Sequence, residues 1–136
     1  MVDLFKAFGI FVLLMVFTVV SAAVLGSMFF GETGNVALIR VEGEITSDSS
    51  IFSTGASAEE VVSALEEAEA NPDVQAVVVA INSPGGTVVA SKEITNTLKS
   101  LTKPTVCWLR EVAASGAYWV ASGCDKIVAD EFTITG

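Results

Sequence analysis

Histidine is missing from the sequence, which has 136 residues. A Ser-His-Asp triad and any metal site built on imidazole are therefore excluded from this chain. Basic residues are also few, with seven lysines and arginines against sixteen acidic residues, and they form no cluster. Because nucleic-acid binding needs clustered lysine and arginine to neutralise phosphates, we expect no nucleic-acid partner. We also expect neither a metal ion nor another cofactor.

Cysteine is scarce as well, with Cys107 and Cys124 as the two examples. Their spacing fits neither a CxxC motif nor a zinc ribbon. Cys107 lies inside an apolar strand pattern, where a buried free thiol is common. A disulfide between the two would need an oxidising compartment, and a single pair is no scaffold. The sequence therefore favours a free thiol at Cys107 over a disulfide.

Charge is absent from the N-terminal stretch that runs from Ala7 to Gly31. A helix of about 20 apolar residues is long enough to cross a bilayer. A cleaved secretory signal is the alternative, since Ser21-Ala22-Ala23 resembles a cleavage site, but the apolar run continues beyond it. We predict an uncleaved, single-pass anchor at residues 1–31, in contact with membrane lipid, and an extracytoplasmic domain at residues 32–136. Lys6 favours a cytoplasmic N-terminus.

Beyond the anchor, strand patterns alternate with helix patterns. Residues 74–81, VQAVVVAI, form the near-continuous apolar run that is typical of a strand buried on both faces of a parallel sheet. The alternation predicts βαβ units and an α/β fold with a parallel sheet. The final strand pattern ends without a partner, so we expect a C-terminally truncated domain. Further strands are predicted at 35–41, 105–109, 126–129 and 133–135, and helices from Ser57 or Ala58 to about 70, at 87–100, and from Ser115 to Ala121.

Two loops follow buried strands, at the edge of the sheet where ligands bind in open α/β folds. The first is Ser83-Pro84-Gly85-Gly86. Its glycines let the backbone approach a ligand closely, and the following helix directs free N–H groups toward the loop. The loop could therefore donate hydrogen bonds to a developing oxyanion. Pro-Gly-Gly is also ordinary turn chemistry, so this loop alone decides nothing.

The second loop is Ala113-Ala114-Ser115-Gly116-Ala117. Small neighbours at a strand-to-helix turn keep a serine hydroxyl reachable, as in a nucleophile elbow. The helix N-terminus favours the negative charge that develops during nucleophilic attack. Serine also caps helices routinely, so the second loop alone is equally compatible with a capping role for Ser115.

Together the two loops carry a resemblance that neither carries alone. The strings INSPGGTVVASKEI, EVAASGAYWVASGCDKIVAD and TITG, in this order, resemble the signal peptide peptidase A family, many members of which have an N-terminal anchor. The resemblance extends from about Val36 to Gly136. It implies the ClpP/crotonase fold, a spiral of ββα units, and a homo-oligomer. It also implies a serine endopeptidase that degrades short hydrophobic peptides, such as cleaved signal peptides, with a Ser/Lys dyad.

The resemblance also implies residue roles. Ser115 matches the nucleophile, and the backbone N–H of Gly116 together with that of Gly85 or Gly86 matches the oxyanion hole. The base in this family is a lysine, which fits a chain without histidine and can act if burial lowers its pKa. Lys126 is the only lysine after the serine, and in the family pattern it belongs to a strand. We expect the base beyond Gly136 and no activity from these 136 residues alone.

Three alternatives stay open at this point. The membrane serine peptidases associated with NfeD share the fold and similar motifs. A catalytically inactive scaffold would keep the fold without a base lysine. A crotonase-type acyl-CoA enzyme is disfavoured by the anchor and the exported position.

Tyr118 and Trp119 lie on the predicted helix that follows Ser115. Both are expected to pack in the core, although one of them could border a substrate groove.

Overall fold

A computed structural model of the protein describes residues 4–29, 35–47 and 55–136. The chain divides into two compact units, Met1–Thr33 and Gly34–Gly136. The described residues of the first unit form the helix α1, which spans Leu4–Phe29. Over the described part of the chain, no helix meets the length and apolarity needed to cross a membrane. The transmembrane part of the predicted fold is therefore not supported and stays a prediction.

The second unit alternates strands and helices, as the sequence predicts. The predicted helix start at Ser57 or Ala58 is confirmed, because the Ser57 side chain accepts a hydrogen bond from the Glu60 N–H and caps the helix. The elements in chain order are β1 (Val36–Glu42), β2 (Ile45–Thr46), β3 (Ala56–Ser57), α2 (Ala58–Ala70), β4 (Ala76–Ser83), α3 (Val88–Ser100), β5 (Thr105–Ala113), α4 (Gly116–Ala121), β6 (Lys126–Ala129) and β7 (Ile134–Thr135).

The main sheet has the strand order β1-β4-β5-β6, and β7 pairs with the end of β5, so the expectation that the final strand has no partner is wrong. Every pairing in it is parallel, which confirms the predicted α/β fold with a parallel sheet. A second, small parallel sheet joins β2 to β3. Strand β4 lies between β1 and β5, which is the interior position that its near-continuous apolar run suits.

One face of the main sheet carries the core. Val79 of β4, Leu109 of β5, Leu65 of α2 and Ile94 of α3 are all buried there. The opposite face is only partly covered, since Val78 is half-buried and Ala80 is buried. On that face, the apolar side chains of the neighbouring strands are among the exposed ones, namely Leu38, Trp108 and Val128. The prediction that β4 is buried on both faces is therefore met fully on one face and partly on the other.

The two cysteines form a disulfide, so the prediction of a free Cys107 thiol is wrong. Cys107 is buried in β5, and Cys124 follows α4 just before β6. After α4 the chain comes back to the sheet and forms β6 beside β5, with Ile127 in register with Cys107. The return brings the two Cα atoms to 5.8 Å, within the range that a disulfide bridges. Proximity of this kind depends on the course of α4 and is not visible in sequence spacing.

Candidate active site

The glycine loop and the serine loop leave the sheet side by side. Strand β4 ends at Ser83 and its parallel neighbour β5 ends at Ala113, and these two residues are in register. The N–H of Ala114 donates to the main-chain oxygen of Ser83 at 3.1 Å, which joins the starts of the two loops. The structure thus brings together the two motifs that the sequence placed at one edge of the sheet.

A bulge in β5 sets the direction of the serine loop. Ile81 pairs with Leu109 and Ser83 pairs with Ala113, so three residues of β5 face a single residue of β4, Asn82. The Asn82 Oδ1 accepts a hydrogen bond from the Val112 N–H at 3.2 Å, which gives this N–H of the bulge an acceptor. Bulges of this kind bend a strand and re-aim the residues that follow it. The contact between Asn82 and Val112 joins residues of two strands that lie 30 positions apart in the chain, so no local sequence pattern indicates it.

Ser115 adopts a backbone conformation that serine rarely takes. Its φ is 54° and its ψ is −124°, and it is the one non-glycine residue with positive φ among the residues described. Such strain is characteristic of nucleophile elbows and of functional sites generally. The side chain is exposed and makes no capping hydrogen bond, although Ser115 is the N-cap residue of α4. The hydroxyl is therefore not occupied by the capping role that the sequence left open.

The glycine loop packs directly against the elbow. Gly85 has a φ of 100°, and a Cβ atom there would lie 2.7 Å from the Ala114 oxygen and 2.8 Å from the Gly116 nitrogen. A Cβ atom on Gly116 would lie 2.3 Å from Ser91 Oγ and 3.3 Å from the Gly86 nitrogen. Both positions therefore require glycine, for space and, at Gly85, for backbone conformation. The close approach places the Gly86 and Gly116 N–H groups beside each other.

These two N–H groups are the ones available to an oxyanion. The Gly85 N–H donates to Ser83 Oγ at 3.0 Å and is occupied. The Ser115 N–H donates to the Gly136 oxygen at 2.6 Å and is also occupied. For Gly86 and Gly116, no acceptor of the N–H occurs within the described residues. Of the sequence alternatives, Gly85 or Gly86, the hydrogen bonding favours Gly86 as the partner of Gly116.

Among the described residues of the second unit, no lysine is hydrogen-bonded to Ser115. The Lys103 Nζ donates to the main-chain oxygens of Ala68 at 2.7 Å and Asn71 at 2.6 Å. Lys126 begins β6 opposite Val106, which is level with Val78 of β4, so about five β4 residues, or roughly 17 Å at about 3.3 Å each, separate its level from that of Ser83 and the elbow. Its predicted place in a strand is confirmed. The two remaining lysines of this unit are exposed on α3, namely Lys92 and Lys99.

The aromatic residues of α4 differ from the prediction. Tyr118 is 43% exposed and Trp119 is 38% exposed, so the expectation that both pack in the core is wrong. The inward side of this short helix is taken by small residues, Ala117 and Ala121 among them, which are fully buried.

In the part of the chain covered by the structure, no group of three or more acidic, cysteine or histidine side chains could hold a metal ion.

Comparison with known proteins gives matches to proteases. The family described as peptidase family S49 matches residues 97–136, which contain the elbow. Protease 4 of Haemophilus influenzae is 38% identical over 104 residues, which cover 74% of this chain and 17% of that protein. The chloroplastic serine protease SPPA of Arabidopsis thaliana is 33% identical over 111 residues, which cover 78% of this chain and 16% of that protein. The chain thus spans about a sixth of the length of these curated relatives.

Solved structures give the fold. A membrane-bound stomatin-specific protease, 1510-N, superposes with a TM-score of 0.62 at 20% identity, covering 74% of this chain and 46% of that one. ClpP1 of Listeria monocytogenes superposes with a TM-score of 0.54 at 22% identity, covering 64% of this chain and 46% of that one. The predicted likeness to the ClpP fold is therefore confirmed for the second unit.

Proposed function

Because the chain belongs to peptidase family S49, among the relatives of signal peptide peptidase A, we propose that the whole protein is a membrane-anchored serine endopeptidase. Its proposed substrates are short hydrophobic peptides such as released signal peptides. One observation carries the proposal. The exposed Ser115 hydroxyl, on a strained turn, lies next to two N–H groups, those of Gly86 and Gly116, that have no acceptor among the described residues.

The proposed reaction is acyl transfer to Ser115. The Ser115 oxygen attacks the carbonyl carbon of the scissile peptide bond while a lysine base takes the hydroxyl proton. The Gly86 and Gly116 N–H groups donate to the resulting oxyanion. The lysine then gives its proton to the leaving amine, and water hydrolyses the acyl-enzyme. We propose that this lysine lies outside residues 1–136, since the Lys103 Nζ is hydrogen-bonded at the end of α2 and Lys126 lies in β6, several strand residues from the elbow.

The proposed location is the cell membrane, with the N-terminus in the cytoplasm and the peptidase domain outside it. The uncharged stretch from Ala7 to Gly31 and the single early lysine, Lys6, support this arrangement. The disulfide between Cys107 and Cys124 also supports it, because such bonds persist in oxidising compartments. Extraction of membranes with alkaline carbonate should leave the full-length protein in the pellet, and its release into the supernatant would contradict the anchor.

The proposed assembly is a homo-oligomer. The partly covered face of the main sheet supports this, because Leu38, Trp108 and Val128 remain about half exposed on it. Large exposed apolar patches commonly mark interaction sites. Light scattering coupled to size-exclusion chromatography of the detergent-solubilised protein should report a mass above that of one chain, and a monomer would contradict this part of the proposal.

Labelling with a fluorophosphonate tests the nucleophile. The full-length protein should be labelled at Ser115, and Ser115→Ala should lose both the label and the cleavage of hydrophobic peptides. Ser122→Ala is the matched control, because Ser122 is an exposed serine at the end of the same helix whose hydroxyl donates to the Trp119 oxygen. Unchanged cleavage by Ser115→Ala would overturn the proposal. A full-length protein that takes no label would instead fit the inactive scaffold.

A further inference from the structure

Ser83 joins three segments around the candidate site. Its side chain is completely buried. Its hydroxyl donates to the Gly43 oxygen at 2.5 Å and accepts from the Gly85 N–H at 3.0 Å. Its main-chain oxygen accepts from the Ala114 N–H at 3.1 Å. One residue therefore links the turn after β1, the glycine loop and the residue that precedes Ser115.

The glycine loop needs such a link because its own conformation is loosely determined. Gly85 has a φ of 100°, in a region that glycine enters freely and also leaves freely. On the far side, the Ile45 N–H donates to the Gly85 oxygen at 2.9 Å, and the Thr87 N–H donates to the Ile45 oxygen at 2.9 Å. On the near side, the hydroxyl of Ser83 is the partner of the Gly85 N–H. With both sides held, the peptide between Gly85 and Gly86 has a fixed orientation.

Burial alone does not account for this arrangement. Any buried hydroxyl must be hydrogen-bonded, and a purely structural serine would satisfy that rule anywhere in the core. Thr95 is such a case, because it is buried in α3 and its hydroxyl donates to the Ser91 oxygen one turn earlier. The Ser83 hydroxyl differs, since its acceptor lies in the turn after β1 and its donor is the N–H of Gly85, the residue next to the free Gly86 N–H.

We propose that Ser83 is a positioning residue that directs the Gly86 N–H toward the oxyanion by holding Gly85. This inference rests on the proposed function, in which Ser115 is the nucleophile. Without the Ser83 hydroxyl, the Gly85 N–H loses its partner, and the peptide that carries the Gly86 N–H is held on one side only, by the bond from the Ile45 N–H to the Gly85 oxygen. The lost hydrogen bond weakens stabilisation of the transition state, in which charge develops on the carbonyl oxygen. It does not weaken the binding of the substrate.

The test compares three variants of the full-length protein, Ser83→Ala, Ser83→Cys and Thr95→Val. Peptide cleavage is measured per active site, with sites counted by complete fluorophosphonate labelling. Ser83→Ala should lower kcat by about 10- to 100-fold, since deleting an oxyanion donor outright costs about 100- to 1,000-fold. KM should change by less than about twofold, because the interaction strengthens in the transition state. Ser83→Cys, with a weaker donor and acceptor, should give a smaller fall in kcat.

Thr95→Val also deletes one buried hydroxyl, and it should lower the melting temperature while leaving kcat per active site within about twofold. If Ser83→Ala fails to fold, Ser83→Cys takes its place in the test, with a fall in kcat that is smaller than for Ser83→Ala but still greater than about twofold. A kcat per active site within about twofold of wild type in the folded Ser83 variant would overturn the inference. Wild-type protein that takes no label at Ser115 would overturn the proposed function instead, so the two failures are distinguishable.

Discussion

The main-chain N–H of Ser115 donates to the oxygen of Gly136 at 2.6 Å, and the Gly136 N–H reaches back to the Ala113 oxygen at 3.4 Å. Strand β7 thereby continues the sheet at the end of β5 and holds the strained residue from the side opposite the glycine loop. Because this bond occupies the N–H of Ser115, an oxyanion beside the serine must be bound by the next N–H, that of Gly116. The elbow is held by three elements, the bulge in β5, the glycine loop and β7. Contacts from several sides of this kind allow a strained residue to persist.

The contact between Gly116 and Ser91 gives a prediction on packing. Gly116→Ala would place a Cβ atom 2.3 Å from Ser91 Oγ, so we expect the free energy of unfolding to fall by about 1–3 kcal/mol. Ser91→Ala removes the oxygen concerned, and in the double variant most of this loss should be recovered. Urea unfolding of the four proteins of the cycle measures the coupling. Additive effects of the two substitutions would show that another contact excludes a side chain at Gly116.

The disulfide gives a prediction on stability. The bond between Cys107 and Cys124 closes a loop with a sequence separation of 17, and this loop contains Ser115. Reducing it should lower the free energy of unfolding by about 3 kcal/mol, since a loop of this size gains entropy in the unfolded chain. Denaturant unfolding with and without reductant measures the difference, and the variant with both cysteines changed to alanine should not respond to reductant. Two titratable thiols in unreduced protein would contradict the bond.

The carboxyl group of Asp125 gives a prediction on pH. The Thr105 N–H donates to Asp125 Oδ2 at 2.8 Å and the Thr105 hydroxyl donates to it at 2.9 Å, and these bonds hold the pKa of Asp125 below its ordinary value of 3.8. A lowered pKa in the folded state stabilises the protein above the unfolded value, and this stabilisation is lost as the pH falls through the folded value. An NMR titration of the Asp125 carboxyl should show the lowered pKa.

Thr105→Val is the control for Asp125, because it removes the hydroxyl donor and keeps the backbone donor. The pKa of Asp125 should rise part of the way toward its ordinary value in this variant. Thermal unfolding from neutral pH down to about pH 2 should show a weaker acid dependence in Asp125→Asn than in wild type. An acid dependence that is the same in both proteins would show that this carboxyl contributes nothing to stability.

The lysines give a prediction that separates structure from catalysis. Lys103→Met removes two hydrogen bonds to carbonyl oxygens at the end of α2, so we expect a loss of about 1–2 kcal/mol in stability with unchanged kcat. Lys126→Met changes an exposed residue of β6 and should alter stability by less than about 0.5 kcal/mol. Both variants are assayed in the full-length protein. Loss of peptide cleavage in either would identify that lysine as the base.

The 136-residue chain expressed alone gives the last prediction. It should cleave no peptide, because no lysine among the described residues of its second unit is hydrogen-bonded to Ser115. The assay uses the same hydrophobic peptides as for the full-length protein, and circular dichroism confirms that the chain is folded. Robust turnover by this chain would mean that the base lies within it.

Much of the fold could be predicted because local patterns report on local structure. Three features are visible without coordinates, since periodicity and turn chemistry act over a few residues. They are the apolar run that forms β4, the capping serine of α2 and the two small-residue loops. The candidate residues Ser115, Gly85, Gly86 and Gly116 came from this level and from a family resemblance. Exposure of Tyr118 and Trp119 was not predicted, because it depends on which side of a short helix meets the sheet.

The sequence by itself determined that this chain has an α/β domain with a serine and a pair of glycines at one edge of a parallel sheet, and that these 136 residues contain no histidine. Only the tertiary structure decided which N–H groups remain free, through the bonds of Gly85 to Ser83 and of Ser115 to Gly136. The tertiary structure also decided that Cys107 meets Cys124. Hydrogen bonds and disulfides between distant segments depend on how strands align in space, and residue order does not specify that alignment.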